Sequence, residues 1–169
     1  WSGKTVETDE LSINYARAGQ GFPVIFLHGW PEFNRAWMHN LPVLAERFDC
    51  IAPDLRGFGR TVTKGPRTPD GTPVNKLATD VLALADALGL SRFAVVSHDV
   101  GSFVAQQTAI AAPDRVAALF FFNCTYSGIG KRWGDYSHFR ETWYQQFNQK
   151  DFAAALVGSS REACRIYFR

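Results

Sequence analysis

Cysteine is scarce: Cys50, Cys124 and Cys164 are the only three in 169 residues, and no CxxC pair occurs. So odd and scattered a set gives neither a disulfide framework nor a zinc site. It predicts small buried thiols in a reducing, cytoplasmic setting. Excess charge is absent too. Eighteen basic against sixteen acidic side chains leave a formal +2, too weak a field to draw nucleic acid or an anionic membrane. No apolar run approaches the ~18 residues of a membrane span, and the opening Trp1-Ser2-Gly3-Lys4 has no signal-peptide core. Glycine and proline, at fourteen and eight, exclude collagen-like and low-complexity chains. What is left is a chain 46% hydrophobic and only 20% charged, enough to bury a core.

The apolar residues follow two periods. Leu11–Tyr15 alternates apolar and polar, predicting a half-buried strand. Val24–Leu27, Phe93–Val96 and Val116–Phe122 are unbroken apolar runs that suit strands covered on both faces, and Cys50–Ala52 is a further short strand. Leu77, Val81, Leu84 and Leu88 recur at helical spacing, in a helix that Thr72-Pro73 opens and Gly89 ends. A small-residue helix is predicted over 100–112, and another over 34–47 that Pro42 divides. Residues 55–72, rich in glycine and proline, read as a surface loop. On it Arg56, Arg60, Lys64 and Arg67 form a solvated face, with Arg56 also bracing Asp54. Strands alternating with helices imply parallel βα units in an open α/β sheet. After Asn123 the strand-like runs stop and aromatics gather, among them Trp133, Trp143, Tyr144 and Phe147. Two or three helices are expected there, the last opened by a Ser159-x-x-Glu162 capping box. The expected division is a core over 1–124 and a helical region beginning at 125.

One segment carries the strongest chemical signal. Ser97-His98-Asp99-Val100-Gly101 lies between a predicted strand and a predicted helix, with small residues two places either side of the centre. That is the pattern of a nucleophile elbow, where a sharp turn lifts the central side chain above the sheet. Here the centre is Asp99, which needs no activating base and can attack a saturated carbon to form an ester. The ordinary alternative is a helix N-cap. Ser97, His98 and Asp99 spell a hydrolase triad in a row, but neighbours on one turn cannot adopt that geometry. The second signal, His28-Gly29-Trp30-Pro31, follows the first buried strand. The amides of Trp30 and Val100 are placed to donate to an ester oxygen as an oxyanion hole. His39 and His138 lack metal-ligand spacing, Gly57-Phe58-Gly59 lacks the third glycine of a dinucleotide loop, and Gly128–Arg132 is no P-loop.

His28-Gly29-Trp30-Pro31, Asp54-Leu55-Arg56-Gly57-Phe58-Gly59 and Ser97-His98-Asp99-Val100-Gly101 together resemble, in order, the motifs of the α/β-hydrolase fold and within it the epoxide hydrolases. Trp143-Tyr144-Gln145-Gln146-Phe147 and 157–164 are similar to the first cap helices of the bacterial members. The resemblance implies an aspartyl ester on Asp99, with Tyr144 and a second cap tyrosine donating to the epoxide oxygen. It further implies a small apolar epoxide as substrate, a vicinal diol as product, and no cofactor or metal. The family's general-base histidine lies beyond the cap, and none of His28, His39, His98 or His138 matches it; Asn123 cannot serve as the orienting acid. The chain is thus expected to be an N-terminal portion ending inside the cap, incompetent alone. A complementary C-terminal segment would bring the missing pair and cover Val116–Phe122, an apolar strand ill suited to an edge. Two alternatives stay open: a haloalkane or haloacid dehalogenase using the same Asp99 chemistry, and a non-catalytic hydrolase-like ligand-binding scaffold. Val100 stands where dehalogenases resemble a Trp or Arg clamp, which weighs against the first.

Overall fold

In a computed structural model, which describes residues 3–65, 72–124, 140, 143–148 and 150–168, seven strands form one sheet. They are β1 (Lys4–Glu7), β2 (Leu11–Ala18), β3 (Phe22–Leu27), β4 (Phe48–Pro53), β5 (Val62–Thr63), β6 (Phe93–His98) and β7 (Val116–Phe122). The order is β1-β2-β4-β3-β6-β7, with β5 against β2. Pairings from β4 through β3 and β6 to β7 are parallel, and those of β2 with β1, β4 and β5 are antiparallel. The expected parallel βα core is therefore present, with an antiparallel margin that the sequence reading left out. β1 and β5 escaped that reading because neither carries an apolar period. Lys-Thr-Val-Glu is largely exposed, and β5 is two residues long.

The central strands read as unbroken apolar runs because successive side chains enter different cores. In β3, Ile25 and Leu27 join a core with Ile51, Leu84, Phe93, Val95 and Val104. Val24 and Phe26 join another with Trp37, Leu41, Cys50 and Ala52. Helix α2 (Val74–Ala87) contributes Leu77, Val81, Leu84 and Ala85 to the first. It ends in a Schellman motif: Gly89 takes φ +70°, its N–H donates to Asp86 O at 3.0 Å, and the Leu90 N–H donates to Ala85 O at 2.8 Å. Its start differs from expectation. Pro73 is the N-cap rather than the first helical residue, and Thr72 lies outside. The helix expected over 34–47 is a 3-10 turn (Asn34–Trp37) and a short α1 (Leu41–Leu44). Pro42 sits in the first turn of α1, where a missing N–H costs nothing, so it starts that helix instead of dividing a longer one. Helix α3 (Val100–Ala111) joins β6 to β7. β7 closes the described sheet as an edge, with Phe120 61% exposed.

The chain forms two compact units, Trp1–Cys124 and Thr125–Arg169. The second contains α4 (Trp143–Asn148), α5 (Asp151–Val157) and α6 (Arg161–Tyr167). Phe147 stacks on Tyr167 at 5.6 Å and meets Phe152 edge-on, and the Tyr167 hydroxyl donates to Asn148 Oδ1 at 2.8 Å. The cap of α6 falls one residue later than expected. Ser160, not Ser159, accepts from the Ala163 N–H, at 3.0 Å, so Glu162 is a first-turn acid favoured by the helix dipole and not half of a capping box. No helix among the described residues is long and apolar enough to cross a membrane.

Candidate active site

β6 ends at His98 and α3 begins at Val100, which leaves one residue to reverse the chain. Asp99 does so at φ +48° and ψ −121°, a strained conformation for a residue with a Cβ. Asp99 occupies the N-cap position, yet its side chain caps nothing in α3. Its Oδ2 instead lies 3.4 Å from the Trp30 N–H, and the Val100 amide also favours its charged form. That separates it from an ordinary capping aspartate. The small flanking residues have a steric cause. A Cβ at position 101 would meet the carbonyl oxygens of Leu27 and His28 at 2.5 Å each, so α3 packs backbone to backbone on the end of β3 only because residue 101 is glycine. Ser97 is completely buried.

The loop after β3 brings the second half of the site. His28 is wholly buried. Its Nδ1 bonds Gly29 O at 2.8 Å and its Nε2 lies 3.0 Å from the Leu55 N–H. Because a main-chain N–H can only donate and a carbonyl only accept, the ring is neutral with its proton on Nδ1. Burial pushes its pKa below the usual histidine value, in agreement. His28 is thus a brace between loops and not an acid–base group. A Cβ on Gly29 would meet Asp99 Cβ at 2.8 Å and His98 Nδ1 at 2.9 Å, so the loop approaches Asp99 only through a glycine. Trp30 precedes Pro31 across a cis peptide. Glu32, which the sequence reading missed, accepts the Gly29 N–H at 3.0 Å and lies 3.3 Å from His98 Nδ1. An acid inside a tight turn whose amides need acceptors was the available signal.

The Asp99 carboxyl titrates above the ordinary range. Burial is the main cause, opposed by the Trp30 amide, by His98 and by the Val100 amide, and Glu32 adds a like charge. The Trp30 and Val100 amides both favour negative charge on this carboxyl, the arrangement that stabilises an oxyanion developing on the same carbon. The row Ser97-His98-Asp99 points three ways. Ser97 Oγ faces Phe120 O at 3.4 Å, His98 faces Glu32 and Asn123, and Asp99 faces the amides.

Asp54 holds this assembly from beneath. It is 2% exposed and accepts from Asn14 Nδ2, the Asn34 N–H and the Arg60 N–H, each at 2.8 Å. Gly59, at φ +53°, leaves room for it. The expectation that Arg56 braces Asp54 and lies on a solvated face is corrected. Arg56 forms a two-pronged pair with Asp80 of α2, both contacts 2.7 Å, and reaches Glu10 at 2.9 Å, with only 10% of its side chain exposed. These partners hold its guanidinium pKa above the usual value. The carboxylate that won was distant in sequence, which spacing could not reveal. Lys64 pairs with Glu7, and Arg60 is exposed. Arg67, His138 and Gly128–Arg132 lie outside the described residues. His39 is exposed. Tyr144 is half-buried on α4, within the second unit. No group of three or more His, Cys, Asp or Glu among the described residues is placed to hold a metal ion.

The family model of the alpha/beta hydrolase fold matches residues 23–159, most of the chain and both halves of this site. The chain belongs to the α/β-hydrolase fold family. Within it, the chain is similar to a soluble epoxide hydrolase of Corynebacterium sp. (strain C12), 40% identical over 111 residues, covering 66% of this chain and 37% of that protein. It is 28% identical over 164 residues to epoxide hydrolase 1 of Caenorhabditis elegans, covering 95% of this chain and 40% of the relative. A solved structure of an epoxide hydrolase of the same superfamily, from metagenomes of hot environments, superposes with a TM-score of 0.82 at 31% identity, over 94% of this chain and 55% of the other. This α/β-hydrolase chain therefore spans well under two thirds of the length of the relatives it matches.

Proposed function

We propose that this α/β-hydrolase chain carries the nucleophile of an epoxide hydrolase. The observation that carries the reading is Asp99. It is raised on a strained turn and has no role as a helix cap, the Trp30 N–H lies 3.4 Å from its carboxylate, and the Val100 amide also favours its charge. One carboxylate oxygen attacks an epoxide carbon. The ring C–O bond opens, its electron pair stays on oxygen, and that oxygen takes one proton from Tyr144 while a second tyrosine donates a hydrogen bond to it; the proton that the hydrolytic water later gives up restores the tyrosine. Water then adds to the ester carbonyl carbon while the Trp30 and Val100 amides hold the oxyanion, and collapse releases a vicinal diol and restores the carboxylate. The similarity of 143–147 and 157–164 to cap helices makes the second unit the beginning of a helical cap, and the substrate a small apolar epoxide. Three scattered cysteines with no CxxC pair suit a cytoplasmic setting.

The water-activating base belongs to another segment. His28 is sealed in the core with both nitrogens bonded, and both His98 nitrogens face side chains. The edge of β7 that has no partner strand among the described residues, with Phe120 and Phe122 exposed, is where a further strand of a complementary C-terminal segment pairs.

Mass spectrometry tests this directly. Incubation with an aryl epoxide should leave a persistent adduct on Asp99, equal in mass to the epoxide, because esterification needs no histidine and hydrolysis does. Asp99→Asn should form none. Turnover to diol by the chain alone would refute the missing base. Halide release from haloalkanes, with no epoxide adduct, would move the same nucleophile to a dehalogenase. No adduct with either would leave a ligand-binding scaffold.

A further inference from the structure

We infer that the polar cleft between β2, the 3-10 turn and the loop after β4 binds a small polyhydroxylated carboxylate, a sugar acid. Arg35 and Arg60 take its carboxylate, and Asn14 and Asn34 take its hydroxyls. The inference does not rest on the reading of Asp99 as nucleophile. The cleft holds about 360 Å³, and Asn14, Phe33, Asn34, Arg35, Asp54 and Arg60 are among the residues that line it. That volume is within the range of small-molecule sites. Of the described residues that line it, none is Trp30, Asp99 or Val100, so it is a separate place from the candidate active site.

The floor carries hydrogen-bonding capacity that the chain leaves unused. Asn34 is 4% exposed and its main-chain N–H serves Asp54 Oδ1, but its carboxamide has no hydrogen-bond partner among the described residues. A buried amide without a partner is costly, and its presence on the wall of a cleft points to a partner from outside the chain. Whichever way that amide faces, it offers both a donor and an acceptor. Asn14 is 9% exposed, and its orientation is fixed: Nδ2 donates to Asp54 Oδ2 at 2.8 Å, which an amide oxygen could not do. Its Oδ1 is therefore an acceptor, with no donor among the described residues. Asp54 is not open in this way, since three donors already meet its charge. Such a floor complements hydroxyls, which donate and accept at one atom. At the rim, Arg35 and Arg60 are exposed and, among the described residues, have no carboxylate partner, unlike Arg17, Arg56 and Arg115. Two guanidinium groups on one cleft match a planar carboxylate, which each can grip with two N–H groups. Phe33 adds an apolar wall for a carbon chain.

The test is a titration of the chain with gluconate, read by NMR on the Asn34 carboxamide and the Arg35 and Arg60 side chains. Sorbitol (the hydroxyls without the charge) and acetate (the charge without the hydroxyls) run beside it. Gluconate should shift these resonances saturably and bind several-fold more tightly than either. Arg35→Ala and Arg60→Ala should each weaken gluconate by about two- to fivefold, the range for an exposed ion pair. Asn34→Ala keeps the main-chain N–H that Asp54 uses and removes no internal hydrogen bond. It should weaken gluconate by about three- to tenfold and leave the urea midpoint unchanged or raised. A lowered midpoint would give the Asn34 amide a structural role and overturn the inference. So would the lack of a saturable shift with gluconate, acetate binding as tightly (an adventitious ion on two arginines), or sorbitol binding as tightly (the arginines idle). The wild-type titration decides even if a variant fails to fold. Absence of an epoxide adduct on Asp99 would sink the nucleophile reading and leave this site untouched.

Discussion

Replacing Asp54 by alanine is expected to unfold more than its own neighbourhood. The carboxylate is buried and receives three hydrogen bonds at 2.8 Å, two from main-chain N–H groups of Asn34 and Arg60 and one from the Asn14 side chain. A bond to an ionised acceptor contributes ~1.5–3 kcal/mol net, and the three share one acceptor group, so their sum is not additive. Asp54→Ala should therefore cost about 3–5 kcal/mol, a large share of the 5–15 kcal/mol typical of a domain. Asp54→Asn gives a sharper check. Oδ1 serves Asn34 while Oδ2 serves Asn14 and Arg60, so any orientation of the amide sets its NH2 against a donor. With Asn34 as the loser, it should cost roughly half as much. Asn34 closes the loop that carries Gly29, Trp30 and Glu32, so both variants should also loosen the Trp30 N–H from Asp99. Urea midpoints give the energies. The Trp30 amide resonance, which should follow the Asp99 titration in the wild type and cease to do so in Asp54→Ala, gives the link to the site. A shift in stability below ~1 kcal/mol for alanine, or asparagine as damaging as alanine, would refute this account.

Gly101→Ala should destabilise by about 1–3 kcal/mol through overpacking on the carbonyls of Leu27 and His28, despite alanine's better helix propensity. Gly65→Ala, with nothing near its added Cβ, should stay near neutral in the same urea titration. Asp99 titrates above its unfolded value. Its contribution is therefore present below the unfolded pKa and lost as pH rises through the folded one. Asp99→Asn should be more stable than wild type above that range and lose the advantage as pH falls; a gap independent of pH would contradict it. Phe120→Lys should reduce self-association through the β7 edge in sedimentation velocity, with stability changed by no more than ~0.5 kcal/mol. A wild type that stays monomeric at high concentration would remove the reason for expecting it.

What was legible in the sequence follows physical range. β7 runs over 116–122 as its apolar run indicates, and α3 and the elbow fall where small residues and Asp99 place them. These elements are written locally, in burial period and turn sterics. β1 was invisible because a marginal strand is defined by its partner: Val6 pairs with Ile13 across the sheet, and the rest of it is exposed. The partner of Arg56 was misread for a related reason, since Asp54 was near in sequence and Asp80 near in space. Ser159 and Ser160 are both capping residues, and composition does not say which one takes extended backbone; Ser160 does. Glu32 and Asp54 were missed as organisers because their value lies in main-chain donors on other segments. Cys50 reads correctly as a core residue, its thiol pushed up to about 11 by burial and so unreactive.

The contact between Gly101 and the carbonyls of Leu27 and His28 has a mechanical meaning as well. A helix start and a strand end that meet through backbone rather than side chains have no rotamers by which to adapt, so the floor of this site behaves as a single rigid plate. Selection or engineering for larger ligands finds no slack at 27–30 or 99–101. Each step there would have to move a strand and a helix together, and changes tolerated elsewhere on the molecule would be lost at these few positions.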